Sequence, residues 1–198
     1  VLTASHNPPE YNGYKIYWKD GGQIIYPHDS LIASKINSLD YNDINFNGNE
    51  KLIHFIDNEI DIKFCKESII NGKIGNGERN KIKVVFTPIH GTSIITIPNV
   101  FQASGYKNFE IVEEQAIPDG NFPTVVSPNP EETEALSMAL NKANKIDADI
   151  VIGTDPDSDR LGIAVRNENN ELELLNGNQI MIDLTNFILE KENFKNFF

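Results

Sequence analysis

Asp155, Asp157 and Asp159 alternate through Gly153-Thr154-Asp155-Pro156-Asp157-Ser158-Asp159-Arg160, directly after the apolar run Asp149-Ile150-Val151-Ile152. In an extended segment the middle carboxylate would point away from its neighbours. A curled loop instead converges all three on one hard cation. Without a cation, carboxylates this close repel, and some of their pKa values rise. Arg160 adds a planar fork suited to phosphate. The run predicts a strand, and its C-terminal end is where open α/β sheets bind ligands. An EF-hand requires Gly at its sixth position and Glu at its twelfth. Counted from Asp155, those positions hold Arg160 and Arg166, which excludes it. A solvated acidic turn is the remaining alternative.

A second segment is Thr3-Ala4-Ser5-His6-Asn7-Pro8-Pro9-Glu10-Tyr11-Asn12-Gly13-Tyr14-Lys15. It places a hydroxyl at the tip of a small-residue turn, stiffened by two prolines. Gly13 permits close backbone approach. A serine needs activation or prior phosphorylation to act in group transfer. His6 and Lys15 are candidates for proton transfer or anion stabilisation. The alternative is a Pro-rich surface turn in which Ser5 caps a backbone group and Lys15 is solvated.

Other residues draw blander readings. His90 beside Gly91 meets either a ligand loop or only its own turn. His28 and His54 read as surface or capping residues, and Trp18 as core or interface. Gly72, Gly75 and Gly77 lack the Lys-Ser/Thr of a phosphate-binding P-loop. The 198 residues carry a formal net charge of −12, with no basic patch for nucleic acid. The single Cys65 forbids an internal disulfide and fits a reducing cytosol, so a cytoplasmic protein is expected. No apolar run reaches the ~18 residues of a membrane span, and no signal peptide is visible. No membrane partner is expected, and the oligomeric state is left open. Val1 without an initiator Met, and the stop at Asn196-Phe197-Phe198, read as the cut ends of a fragment.

The elements that must position these loops follow from periodicity. Asn12 to Trp18 alternates as a strand, with Tyr14, Ile16 and Trp18 on one face. Asp20-Gly21-Gly22 is a turn, and Gln23 to Tyr26 the return strand. Asp29 or Ser30 caps a helix reaching about Ser38. Asp40 to Glu50 is a linker, Asn58 to Ile70 a helix, and Gly72 to Asn80 a loop. Strands and helices then alternate. Strands are expected at Ile82–Phe86, Phe109–Val112, Asp149–Ile152 and Leu161–Val165. Helices are expected at Ser93–Ala103, with Pro98 near its first turn, at Glu131–Ala143 and at Gly177–Leu189. The pattern predicts an α/β fold with a mixed, largely parallel sheet flanked by helices.

Taken together, these segments resemble the α-D-phosphohexomutase family. Thr3-Ala4-Ser5-His6-Asn7-Pro8 with Asn12-Gly13-Tyr14-Lys15 resembles its phosphoserine loop, and Asp155 to Arg160 its metal loop. Thr87 to Thr92, Pro118 to Pro123 and Ser127 to Glu131 are similar as well. The resemblance implies four domains in the whole enzyme, with residues 1–55 ending the first and 56–198 forming the second. It implies a phosphorylated Ser5 and one Mg²⁺ held by Asp155, Asp157, Asp159 and the Ser5 phosphate. It further implies Lys15 in acid–base work, His6 in support, and Arg160 and Asn7 at the phosphate or substrate. The substrate class is a sugar phosphate, with glucose 1,6-bisphosphate as intermediate and activator. Pro156 resembles the phosphoglucomutase and phosphopentomutase branch, where the phosphomannomutase branch has Gly. Interconversion of glucose 1-phosphate and glucose 6-phosphate is therefore expected, with phosphomannomutase or phosphopentomutase as alternatives. A non-catalytic sugar-phosphate or metal-binding module is the rival from another class. This stretch alone is expected to be inactive, with residues 1–55 poorly covered.

Overall fold

The computed structural model describes residues 1–56, 58–72 and 77–191. Gly75 of the expected glycine turn and the terminal Asn196-Phe197-Phe198 lie outside these residues.

The core is built on short apolar strands. β1 (Lys83–Thr87) is buried in all but its first residue. It pairs in parallel with β2 (Asn108–Ile111) on one side and β3 (Ile150–Thr154) on the other. β4 (Leu161–Arg166) and β5 (Leu172–Leu175) add antiparallel strands beyond β3, giving the order β2-β1-β3-β4-β5. The sheet is mixed, as expected. β5 is absent from the sequence reading because Leu172-Glu173-Leu174-Leu175 is short and barely alternates.

The described residues include five α-helices: α1 (His28–Asn37), α2 (Asn58–Asn71), α3 (Ser93–Ala103), α4 (Thr133–Ile146) and α5 (Gly177–Lys191). α4 packs against β1 and β3. It presents Ala135, Leu136, Ala139 and Ala143, all fully buried at helical spacing. Ala139 and Ala143 let the helix approach Val85, Val151 and Ala164 of the sheet closely, with Val112 just after β2, while Ala135 and Leu136 pack with Ile89. Asp147 ends the helix in the left-handed conformation, φ 54°. α3 spans the expected residues, but Pro98 sits in its second turn rather than its first. None of the described helices is long and apolar enough to cross a membrane.

The N-terminal part departs from expectation in its strands. Asn12 to Trp18 forms no continuous strand; it makes isolated bridges Leu2↔Tyr14 and Tyr17↔Gln23. Its backbone groups are divided between two partners, Val1 accepting from Lys15 N–H and Ile16 from Ile24 N–H, so neither ladder extends. The turn is present: Gly21 takes φ 84°, its N–H donates to Trp18 O, and Trp18 N–H donates to Gly22 O. α1 begins after Pro27 with no side-chain cap, so the capping role given to Asp29 or Ser30 is not realised. The expected linker holds two short 3₁₀ turns, Tyr41–Asp43 and Glu50–Leu52, capped by Asp40 and Asn49. Among the described residues, the first buried position in the chain is Val84.

Candidate functional site

The acidic loop is the connection between antiparallel β3 and β4, closed at its base by the Thr154↔Leu161 pair. Its curl follows from local bonds. Ser158 N–H donates to Asp155 O, and Arg160 N–H donates to the Asp155 carboxylate at 3.0 Å. Ser158 takes φ 64°, which reverses the chain between the second and third aspartates. Simple alternation in an extended segment would leave Asp157 pointing away, whereas the curled loop brings its carboxylate beside the other two. One carboxylate oxygen from each of Asp155, Asp157 and Asp159 then lies within 4.8 Å of the others. Burial falls along the series: Asp155 is fully buried, and Asp159 is about half exposed.

The N-terminal loop closes over this cluster from the far end of the sequence. Ser5 Oγ donates to Asp155 Oδ2 at 2.7 Å and lies 3.3 Å from Asp159 Oδ1. Lys15 Nζ reaches Asp159 Oδ2 at 3.1 Å and Asp157 Oδ2 at 3.5 Å. Ser5 is held in a left-handed conformation, φ 55°, which costs energy in a non-glycine residue. Its N–H donates to Thr3 Oγ1, and Thr3 Oγ1 donates to Asp157 Oδ2 at 2.7 Å. Thr3 is thus a site residue the sequence reading missed. Its only signal was a hydroxyl two residues before Ser5, a spacing that forms local side-chain turns. Gly13 lies under this segment: a Cβ there would stand 2.3 Å from Thr3 O. That is the close approach expected of it.

The remaining expected residues sit nearby with looser ties. His6 Nδ1 is 3.4 Å from Ser5 Oγ. Asn7 lines the same cleft, of about 470 Å³, together with Ser5, Pro8, Thr92, Phe122 and Asp157. Arg160 keeps its guanidinium half exposed, 4.0 Å from Asp159, free to meet an incoming anion. His90 does not reach the carboxylates. It is buried, with Nδ1 3.0 Å from Ile117 O and Nε2 2.9 Å from Thr124 Oγ1. Trp18 stacks edge-on against His28, away from this cluster. A larger apolar groove, about 610 Å³, runs between α2 and α3 past Cys65 and has no part in the cluster.

Electrostatics separate the three carboxylates. Burial pushes the Asp155 pKa up, against the opposing bonds from Ser5 and the Arg160 N–H. Burial also pushes Asp157 upward, but hydrogen bonding with Thr3, Asp155 and Ser5, together with the Lys15 charge, outweighs it and holds its pKa low. Lys15 is raised, chiefly by its hydrogen bond to Asp159, against a smaller opposing effect of burial. Its ammonium form is therefore favoured while it faces the aspartates.

These groups fit a hard divalent cation. The donors are all carboxylate oxygens, the preference of Mg²⁺ and Ca²⁺. Asp157 Oδ1 is buried without a hydrogen-bond partner, a costly state that a cation ligand bond would relieve. The cluster can hold such an ion beside a serine hydroxyl, with a lysine and an arginine at its rim.

Comparison with known proteins agrees along the chain. Residues 64–169 match the family model described as phosphoglucomutase/phosphomannomutase, alpha/beta/alpha domain II, and residues 1–43 match alpha/beta/alpha domain I. A phosphoglucomutase from Staphylococcus epidermidis is 37% identical over 196 residues, covering 96% of this chain and 36% of that protein. A phosphomannomutase from Mycoplasmoides pirum is 36% identical over 199 residues, covering 98% of this chain and 36% of that protein. The chain thus spans about a third of the length of these curated relatives. In fold it is similar to a Thermus thermophilus structure bearing the phosphomannomutase name, with a TM-score of 0.72 at 21% identity. That match covers 96% of this chain and 40% of the other.

Proposed function

This chain belongs to the phosphoglucomutase/phosphomannomutase family, and on that premise we propose that it is the phosphoryl-transfer portion of a phosphoglucomutase. The observation that carries the reading is Ser5 Oγ donating to Asp155 at 2.7 Å across 150 residues of sequence. A hydroxyl placed there, once phosphorylated, puts its phosphate oxygens beside the aspartate cluster. Residues 1–55 would be the end of the first domain and 56–198 the second.

In this reading Ser5 carries the phosphoryl group, and Asp155, Asp157 and Asp159 hold one Mg²⁺ together with it. Mg²⁺, when bound, offsets charge that develops on the transferring phosphoryl oxygens. The chain's own residues do the rest. Thr3 fixes Ser5 N–H and Asp157 together, so the nucleophile and its acidic partner keep their spacing. In the first transfer the Ser5–phosphate bond breaks and a bond to a sugar hydroxyl forms, giving glucose 1,6-bisphosphate. In the second, the other sugar–phosphate bond breaks as Ser5 takes that phosphoryl group, the Ser5 hydroxyl gives up its proton, and the departing sugar oxygen gains one. Lys15, kept as an ammonium by its carboxylate neighbours, is suited to donate it. Arg160, with Asn7 nearby, would bind phosphate, and His6 would support the serine.

The choice of glucose rests on Pro156 in the acidic loop. Mannose and pentose phosphates are the alternatives. A cytoplasmic location is part of the proposal, supported by the free Cys65. A coupled assay on the complete protein containing this chain tests it, with Mg²⁺ and glucose 1,6-bisphosphate present. Conversion of glucose 1-phosphate to glucose 6-phosphate is expected, and Ser5→Ala should abolish it. A protein that turns over only mannose or pentose phosphates would refute the choice of sugar. One that binds sugar phosphates and turns over none would establish the non-catalytic rival.

A further inference from the structure

The loop after β1 grips the acidic loop at one point. The Pro156 carbonyl, between Asp155 and Asp157, accepts from Thr92 N–H at 2.9 Å and from Thr92 Oγ1 at 3.1 Å. We propose that Thr92 is a positioning residue of the cation site, holding the Pro156–Asp157 peptide so that Asp157 stays turned toward Asp155. The inference rests on the reading of the three aspartates as a cation site.

The argument is one of remaining freedom. The ring of Pro156 fixes its own φ. The orientation of Asp157 then depends on the peptide plane that follows. A carbonyl has two acceptor directions, and Thr92 occupies both, so that plane is fixed. A lone backbone bond would leave it free to rock. Asp157 Oδ1 is the buried oxygen without a partner, and its direction into the cluster is what rocking would lose.

Thr92 itself is relaxed, φ −80°, but the turn that delivers it is strained. Ile89 and His90 precede it in left-handed conformations, φ 46° and 58°. For a β-branched residue such as isoleucine this is a true outlier. It persists because the wall around it fixes it. His90 N–H donates to Gln115 O at 2.9 Å, and Asp119 N–H donates to His90 O at 3.1 Å. The His90 ring is tied to Ile117 O and Thr124 Oγ1. Gly91 then lies so near that a Cβ would stand 2.6 Å from Pro156 Cα. Ser93 Oγ meets Thr154 Oγ1 at 2.7 Å, steadying the residue before Asp155. Backbone strain of this kind gathers at functional sites. Here it delivers two donors to one carbonyl.

The test uses this chain and Mn²⁺ as the probe, with free Mn²⁺ followed by electron paramagnetic resonance. Thr92→Val should weaken Mn²⁺ binding about five- to tenfold, the value of one hydrogen bond. Thr92→Ser, which keeps the hydroxyl, should stay within about twofold of wild type. Unchanged binding by Thr92→Val would overturn the proposal. So would equal weakening in Thr92→Ser, which would assign the effect to general loosening. Failure of the wild-type chain to bind Mn²⁺ would remove the cation site itself, and the role of Thr92 with it.

Discussion

Asp155 and Asp157 are two residues apart and are shifted in opposite directions from the ordinary aspartate value of 3.8. The raised pKa of Asp155 means that the metal-free fold holds a proton there more tightly than the unfolded chain. Its stabilising contribution is complete below 3.8 and is lost as pH rises through the folded value. The depressed pKa of Asp157 works the other way: its contribution is present above 3.8 and is lost as pH falls through the lower value. A divalent ion must displace the Asp155 proton, so affinity should climb with pH throughout the range below the raised value and level off above it. Calorimetric Mg²⁺ titrations across that window check the slope. At neutral pH, Asp157→Asn should weaken binding at least about tenfold, since even outer-shell changes at metal sites cost 10–100-fold. Equal binding by both proteins would remove the site. At this scale type and spacing offered the carboxylates, Ser5 and Lys15 as candidates, with a surface turn as the alternative for Ser5 and Lys15, and the family resemblance gave them their expected roles. It did not show Thr3, because a threonine two residues before a serine acquires a role only when a partner 154 residues away arrives.

The elements matter through the places where they leave no room. Gly162 in β4 crosses the backbone of Pro130 so closely that a Cβ would stand 1.9 Å from its carbonyl oxygen. That contact seats the strand leaving the acidic loop against the segment that enters α4. Gly162→Ala should cost about 1–3 kcal/mol of stability by overpacking, read as a lower denaturant midpoint with an unchanged slope. An unaltered midpoint would mean that this crossing carries no strain. The helices and buried strands were legible because their apolar residues recur at helical spacing or in compact runs, as Val84-Val85-Phe86 and Ala135-Leu136-Ala139-Ala143 do. The Asn12–Trp18 strand was misread for a physical reason. Alternation marks faces, but a strand also needs a continuous neighbour, and this segment finds only isolated bridges. The clamp on Pro156 was invisible as well, since neither the left-handed turn at Ile89-His90 nor its target can be read from residue types.

At the scale of the molecule, chemistry and substrate positioning are unequally represented. The chain brings together a serine hydroxyl, an acidic cluster and two cationic side chains, yet spans only 36% of its curated relatives. A mutase must hold its sugar in two opposite orientations, and positioning supplies roughly 7–11 kcal/mol of a lowered barrier. Residues 1–198 alone should therefore show no measurable mutase turnover in the coupled assay, and robust turnover would refute the need for further domains. Large apolar side chains such as Tyr14, Trp18, Ile25 and Phe55 stand exposed in the N-terminal part, an arrangement that calls for a covering surface. The central claim, however, is local: Ser5 carries the phosphoryl group next to Asp155, Asp157 and Asp159. Treating the complete protein with glucose 1,6-bisphosphate and mapping phosphate by tandem mass spectrometry tests it directly. Phosphate on Ser5, lost in Ser5→Ala, is the expected result; phosphate found only on another residue would contradict the account.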